Sequence, residues 1–249
     1  EIMEAIAMRH NETTAAEEYT RRVLPQLGGL YCAAHAMTGS RENAEVLLCT
    51  ALSDYFAMND VLSARASLRS GILREMKNRA LSMRQEEKRA PETDFSGLTI
   101  PRDAQGRPES TPFLDSLTQL PAQTQRLLIL KYGCQLSAHA IAQLLETEPE
   151  EVKRAMGKTR RQLIRAQGLQ KEHTAAFEQE LTREIRRAMS KTGGEQVDVT
   201  QILRTLEEDI AAVHVSRHWA GRAIRGMLLT LLIAVLVAAV WVVAVLMEM

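Results

Sequence analysis

Arg154, Lys158, Arg161 and Arg165 recur at intervals of four, three and four residues, a spacing that on an α-helix gathers them on one face. Val152, Met156, Thr159 and Leu163 repeat in the same way two residues earlier, so the apolar row and the basic row fall on roughly opposite sides. Lys153 and Arg160 widen the basic row. A helix built like this seats one side on its own domain and offers cations to a polyanion. Entry into the DNA major groove asks for the same arrangement, with cations reaching phosphates and base edges. The plainer alternative is a basic face that meets only water. Spacing alone does not say which cations touch bases.

No other pattern points to chemistry. The chain has no P-loop, no HExxH, no GxSxG, no glycine-rich dinucleotide turn and no Cys–His pair in a recognisable setting, so no catalytic residue is assigned and no enzyme is expected. Cys32, Cys49 and Cys134 are odd in number and far apart, as suits reduced, partly buried thiols. His214 and His218 have the i, i+4 spacing of a metal pair but lack a third ligand nearby. No metal and no cofactor is therefore expected.

The elements that must position the basic row are written around it. Ser137 is a good N-cap for a short helix through Leu145. After a tight turn, Thr147 and Glu150 stand in capping-box spacing, Pro149 suits a first helical turn, and Glu148, Glu150 and Glu151 favour the positive end of the helix dipole. Together these predict a helix-turn-helix. Across all 249 residues the composition is 45% hydrophobic, 25% charged and only 4% aromatic, with net charge zero. Ala, Leu, Arg, Glu and Met abound and long period-2 alternation is absent, so an all-α fold is expected. Residues 1–81 read as a small helical domain. Residues 82–112, interrupted by Pro91, Gly97, Pro101, Gly106, Pro108 and Pro112, read as a linker, and 113–170 as the helix-turn-helix domain. Tyr31, Tyr55 and Phe56 lie in apolar company and are expected in the first core.

At residues 117–133, with Leu120-Pro121, and at Leu136-Ser137, Ile141-Ala142 and Glu151 to Arg154, the chain resembles region 4 of bacterial RNA polymerase sigma factors of the extracytoplasmic-function type. Leu30 to Glu45 resembles region 2 of the same family, and together the two stretches cover Val23 to Gln167. The resemblance implies two small helical domains, promoter DNA and RNA polymerase core as partners, and a recognition helix whose DNA contacts come from Lys153, Arg154, Lys158, Arg160, Arg161 and Arg165. It places Arg69, Arg74, Lys77 and Arg79 where family members melt and read the element near −10. Polymerase contact would fall to Glu45, Leu48 and Leu52. The pattern departs from the family after Ala44-Glu45, where Val46, Cys49 and Thr50 replace the usual polar residues, and the helix at Leu68 to Arg79 has no aromatic residue on which unpaired bases would stack.

Residues 171–225 continue past the family's usual end as juxtamembrane helices. Phe177, Leu181, Ile185 and Met189 form one apolar row and Ile202, Leu206 and Ile210 another, with a helix break expected at Lys191 to Glu195 around Gly193-Gly194. Such helices need a partner. One candidate is the chain's own first domain or helix-turn-helix, a contact of the anti-sigma kind made in cis or in trans. From Met227 to Met247 every residue is uncharged and all but Thr230 are apolar, long enough as a helix to cross a hydrocarbon core of ~30 Å. Arg217, Arg222 and Arg225 precede this run, which orients the body to the cytoplasm and makes 226–247 a single transmembrane helix in the cell membrane. The expectation is a membrane-tethered, sigma-like initiation factor. The alternatives are a membrane-anchored DNA-binding regulator without polymerase binding, or a helical adaptor with degenerate sigma-like domains that binds protein alone.

Overall fold

The structure is a computed structural model that describes residues 16–58, 68–86, 95–168 and 174–210. The described residues form helices joined by turns and one irregular stretch, 95–111, and contain no strand; one isolated antiparallel bridge joins Arg102 and Pro108. The fold is all-α, as the composition and periodicity predict. Helix α1 covers 16–23 and passes through a 3-10 turn, Leu24–Gln26, into α2 (Leu27–Thr38). Helices α3 (Arg41–Met58) and α4 (Leu68–Glu86) complete the first group. The second group holds α5 (Pro112–Thr118), α6 (Ala122–Leu128) with a π-helical turn Ile129–Gly133, α7 (Ala138–Leu145) and α8 (Pro149–Ala166). Helix α9 (Thr174–Gln196) and helix α10 (199–210) follow. One compact unit extends through Leu206.

Helix α2 is the hub, because its sequence is apolar on every side. It meets α3, α4, α9 and the π-helical turn. It stops at Gly39, whose φ of 77° is left-handed and whose N–H donates to the His35 carbonyl at 2.8 Å. Tyr19, Tyr31, Tyr55 and Phe56 are buried, and the Tyr19 hydroxyl donates to the Leu52 carbonyl at 2.9 Å. The three aromatics expected in the first core are thus there.

Two expectations about the backbone need correction. The predicted break at Lys191 to Glu195 does not occur: α9 runs unbroken to Gln196, and the chain breaks at Val197-Asp198, where the Asp198 carboxylate accepts the Gln201 N–H at 3.1 Å and caps α10. Gly193 serves instead as a point of close approach. A Cβ on it would stand 1.8 Å from the Gly28 carbonyl oxygen, so α2 and α9 cross with backbone nearly against backbone. The supposed linker is also partly packed. Residues 82–86 belong to α4, while Phe95 and Leu98 are buried. The Phe95 ring lies 5.3 Å from that of His35, the Leu98 N–H donates to the Gln125 side chain, and the Thr99 N–H donates to the Thr192 hydroxyl at 3.0 Å. Two apolar anchors and paired amides hold the segment despite its prolines and glycines.

Among the described residues no helix is long and apolar enough to cross a membrane. The apolar run 227–247, its basic flank and His214 and His218 lie outside the described residues.

Candidate nucleic-acid interface

Helix α7 opens as predicted: the Ser137 hydroxyl accepts the Ala140 N–H at 3.2 Å from a residue in extended conformation. It closes on Glu146, a non-glycine residue with φ of 53°, and the Thr147 N–H donates to the Ala142 carbonyl at 3.0 Å. Helix α8 then starts at Pro149. The expected Thr147/Glu150 capping box is not formed: the N-cap is Glu148, which makes no side-chain cap bond, and Glu150 turns to Lys153 at 2.6 Å. Pro149 accounts for the shift, since its ring presets the first helical φ and leaves no N–H there to be capped. The turn is also tied to the first helical group, with Arg84 of α4 donating to the Glu146 carboxylate at 3.1 Å. Behind it a cavity of about 420 Å³ opens between α6, α7 and α8, bordered by Leu127, Leu145, Val152, Arg84 and Arg126.

The inner face of α8 is seated as its periodicity predicts. Val152, Thr159 and Leu163 are buried and Met156 is half-buried. On the outside Lys153, Arg154, Lys158, Arg161 and Arg165 are exposed. Lys153 is engaged by Glu150, whereas Arg154, Lys158, Arg161 and Arg165 form no ion pair among the described residues. The first turn is acidic and exposed through Glu148, Glu150 and Glu151, so positive potential begins only at the second turn. Arg160 is half-buried, 3.4 Å from Glu178 of α9. Phe177 beside it meets Phe113 of α5 edge-on at 5.7 Å. Helix α9 therefore rests on the helix-turn-helix group through its first turns and on α2 through its last.

The other candidates are placed differently. On α4, Arg74 is exposed and Lys77 half-buried, and Arg79 stands 3.6 Å from Asp54. Arg69 is half-buried and reaches under α9 toward Gly29 and Ser190, and burial depresses the pKa of its guanidinium. Leu48 and Leu52, implied as polymerase contacts, are fully buried on α3 and are unavailable to an incoming protein while that helix keeps its packing. Glu45 is half-buried at 3.6 Å from Arg41, and the exposed apolar residue of that stretch is Val46. Among the described residues no group of three His, Cys, Asp or Glu side chains is arranged to hold a metal ion.

Arg126 carries structural weight that its spacing did not announce. It is 2% exposed, donates through Nε to the Ala36 carbonyl at 2.7 Å and reaches the Met37 carbonyl at 3.5 Å, thereby capping the end of α2 from α6. Burial, with Arg84 adding to it, lowers its pKa to about 10. An arginine heading the apolar run Leu127 to Leu130 was the available signal.

The arrangement defines an all-α chain with a helix-turn-helix whose second helix presents exposed cations that form no ion pair among the described residues. No protein-family model matches the sequence, and no curated protein matches it either. Among solved structures, the chain is similar to one in the co-crystal structure of the sigma factor RpoE in complex with the anti-sigma factor NepR from Bartonella quintana. The identity is 18% and the TM-score 0.35, over 62% of this chain and 99% of that one. A score this low does not establish a common overall fold.

Proposed function

We propose that this protein is a membrane-tethered transcription regulator of the sigma-factor type, in which α8 binds promoter DNA and the helices α1 to α4 engage RNA polymerase core. The observation that carries the reading is the row Arg154, Lys158, Arg161 and Arg165, exposed and without carboxylate partners among the described residues, opposite a seated apolar face. The motif resemblance in both helical groups supports the sigma type, and the apolar run 227–247 supports the tether. In this reading α9 is a cover of the anti-sigma kind made in cis. Its Glu178 occupies Arg160, and its Ser190 stands beside Arg69, so one cation of each basic helix is drawn into the body.

A second reading, a DNA-binding regulator without polymerase binding, is favoured by the burial of Leu48 and Leu52 and by Val46 at 57% exposure where the family is polar. Titration of the full chain with duplex DNA across a salt series tests what the two readings share. Log affinity should fall linearly with log salt, and Arg154→Glu with Lys158→Glu should flatten that slope by about two. An unchanged slope in the double variant would sink DNA binding by α8. Retention of core polymerase on the immobilised full chain separates the readings: capture supports an initiation factor, and duplex binding without capture supports the second reading.

A further inference from the structure

Where α2, α4 and α9 converge, the fold buries positive charge and, among the described residues, sets no carboxylate against it. Arg69 comes from α4 and Arg186 from α9, and both are half-buried. Nε and Nη2 of Arg69 and Nε of Arg186 are shut off from solvent, yet none has a hydrogen-bond acceptor. A buried charged donor left unpaired is among the costlier features a fold can keep, and two such cations side by side repel each other as well. Neither arginine forms an ion pair with a carboxylate of the described residues. The charged and titratable groups felt by Arg69 are Arg186 and the thiols of Cys32 and Cys134. Burial raises both thiols to about 12, so they remain neutral and bring no anion to the site.

The backbone is shaped to admit these groups. A Cβ on Gly29 would stand 3.0 Å from Nη1 of Arg69 and 3.2 Å from the Ser190 hydroxyl, so a glycine on α2 is what lets guanidinium and hydroxyl settle together above that helix. The result is a pair of inward guanidinium donors from separate helices, with the hydroxyl of the exposed Ser190 at their edge and no acceptor among the described residues. Guanidiniums answer best to planar or tetrahedral oxyanions that accept several N–H bonds at once, and a dianion matches the two positive charges where a single carboxylate does not.

We propose that the junction of α2, α4 and α9 is a binding site for a small oxyanion of the phosphate class, held by Arg69 and Arg186 with Ser190 as a further donor. Because its donors come from helices on both sides of the α2–α9 crossing, the site exists only while α9 is docked. The anion therefore stabilises the docked form by the free energy of its binding. This holds whether or not α8 binds DNA.

Thermal unfolding of the full chain with inorganic phosphate, with sulfate, and with sodium chloride at matched ionic strength tests the proposal, together with the ³¹P line width of inorganic phosphate. Phosphate should raise the melting temperature along a saturating curve that chloride does not reproduce, and its ³¹P line should broaden on mixing with the protein. Arg69→Gln and Arg186→Gln should each abolish the rise, while Arg183→Gln, exposed on the same α9, should keep it. An equal rise with chloride, or a rise that survives both site variants, would overturn it. Should either variant fail to fold, the line width in the wild-type chain still decides, and an unbroadened phosphate signal refutes the site.

Discussion

Helices α8 and α4 each carry several basic residues, and the fold treats them in opposite ways. On α8, Arg154, Lys158, Arg161 and Arg165 reach solvent with no ion pair among the described residues. On α4, Arg69 is drawn into the α2–α9 junction and Lys77 is half-buried, while Arg74 is exposed and Arg79, also exposed, is shared with Asp54. The difference lies in what surrounds each helix. Helix α8 rests on α5, α6 and α7 through one row of buried residues, whereas α4 lies against α2 and α3 and reaches α7 as well. A run of basic residues on a helix thus becomes a ligand-facing row in one place and part of the protein's own electrostatics in the other.

The largest effect expected from this comparison is on nucleic-acid affinity. Arg154→Glu with Lys158→Glu should weaken duplex binding on the order of 100-fold at low salt, while Arg74→Glu with Lys77→Glu should weaken it roughly 3-fold or less. Fluorescence anisotropy at one fixed low salt concentration measures both. Equal losses would mean that α4 is as open as α8, and the comparison would fail.

Next in size is the α2–α9 crossing that keeps Arg69 withdrawn. Alanine in a helix is ordinarily better than glycine by ~1 kcal/mol, so Gly194→Ala, where an added Cβ meets nothing within 4 Å, should stabilise by about 0.5–1 kcal/mol. Gly193→Ala should have the opposite sign, because its Cβ falls on the Gly28 carbonyl and the helices must part; a net loss of about 2 kcal/mol in urea unfolding is expected. If α9 is what closes α4, Gly193→Ala should also raise duplex affinity by freeing Arg69. Two changes of the same sign in stability would show that the helices do not meet as closely as described.

A third effect reports how dry the α4 side is. Cys32 and Cys134 border Arg69, and burial raises both thiols from 9.0 to about 12. The folded protein then holds protons that the unfolded chain gives up. The stability these thiols contribute is complete below about pH 9 and is lost as pH rises toward 12. Cys32→Ala with Cys134→Ala should flatten the alkaline decline by roughly 1 kcal/mol for each thiol near pH 10, measured as unfolding free energy against pH. An unaltered decline would place both thiols in contact with water and open the α4 side.

What could be read from the sequence follows the range of the interactions concerned. The all-α class, the cap at Ser137 and the two faces of α8 are local matters of spacing, and all three are found as expected. The reading failed where a distant residue decides. Gly193-Gly194 signals a break and a close approach equally well, and the choice depends on Gly28, distant in sequence but in contact in the fold. Proline and glycine between 82 and 112 hid the anchors Phe95 and Leu98, whose partners are His35 and, through the Leu98 amide, Gln125. Leu48 and Leu52 read as surface by resemblance but face the first core, and Arg126 gains its meaning only from the open carbonyls of α2.

The smallest effect tests whether α9 shares α8 with a ligand. Glu178 and Arg160 are 3.4 Å apart and both partly exposed, so the pair contributes little to stability, about 0–1 kcal/mol, and Glu178→Gln should leave the unfolding midpoint almost unmoved. Its effect should appear in binding instead. Freeing Arg160 adds one cation beside a row that already has four, for an expected gain of about 2-fold in duplex affinity at low salt, fading as salt rises. No gain at any salt would make α8 wholly open and α9 irrelevant to it, widening the contrast with α4. A gain of more than about 10-fold would mean that α9 withholds more of α8 than one arginine, and the two basic helices would then differ in degree rather than in kind.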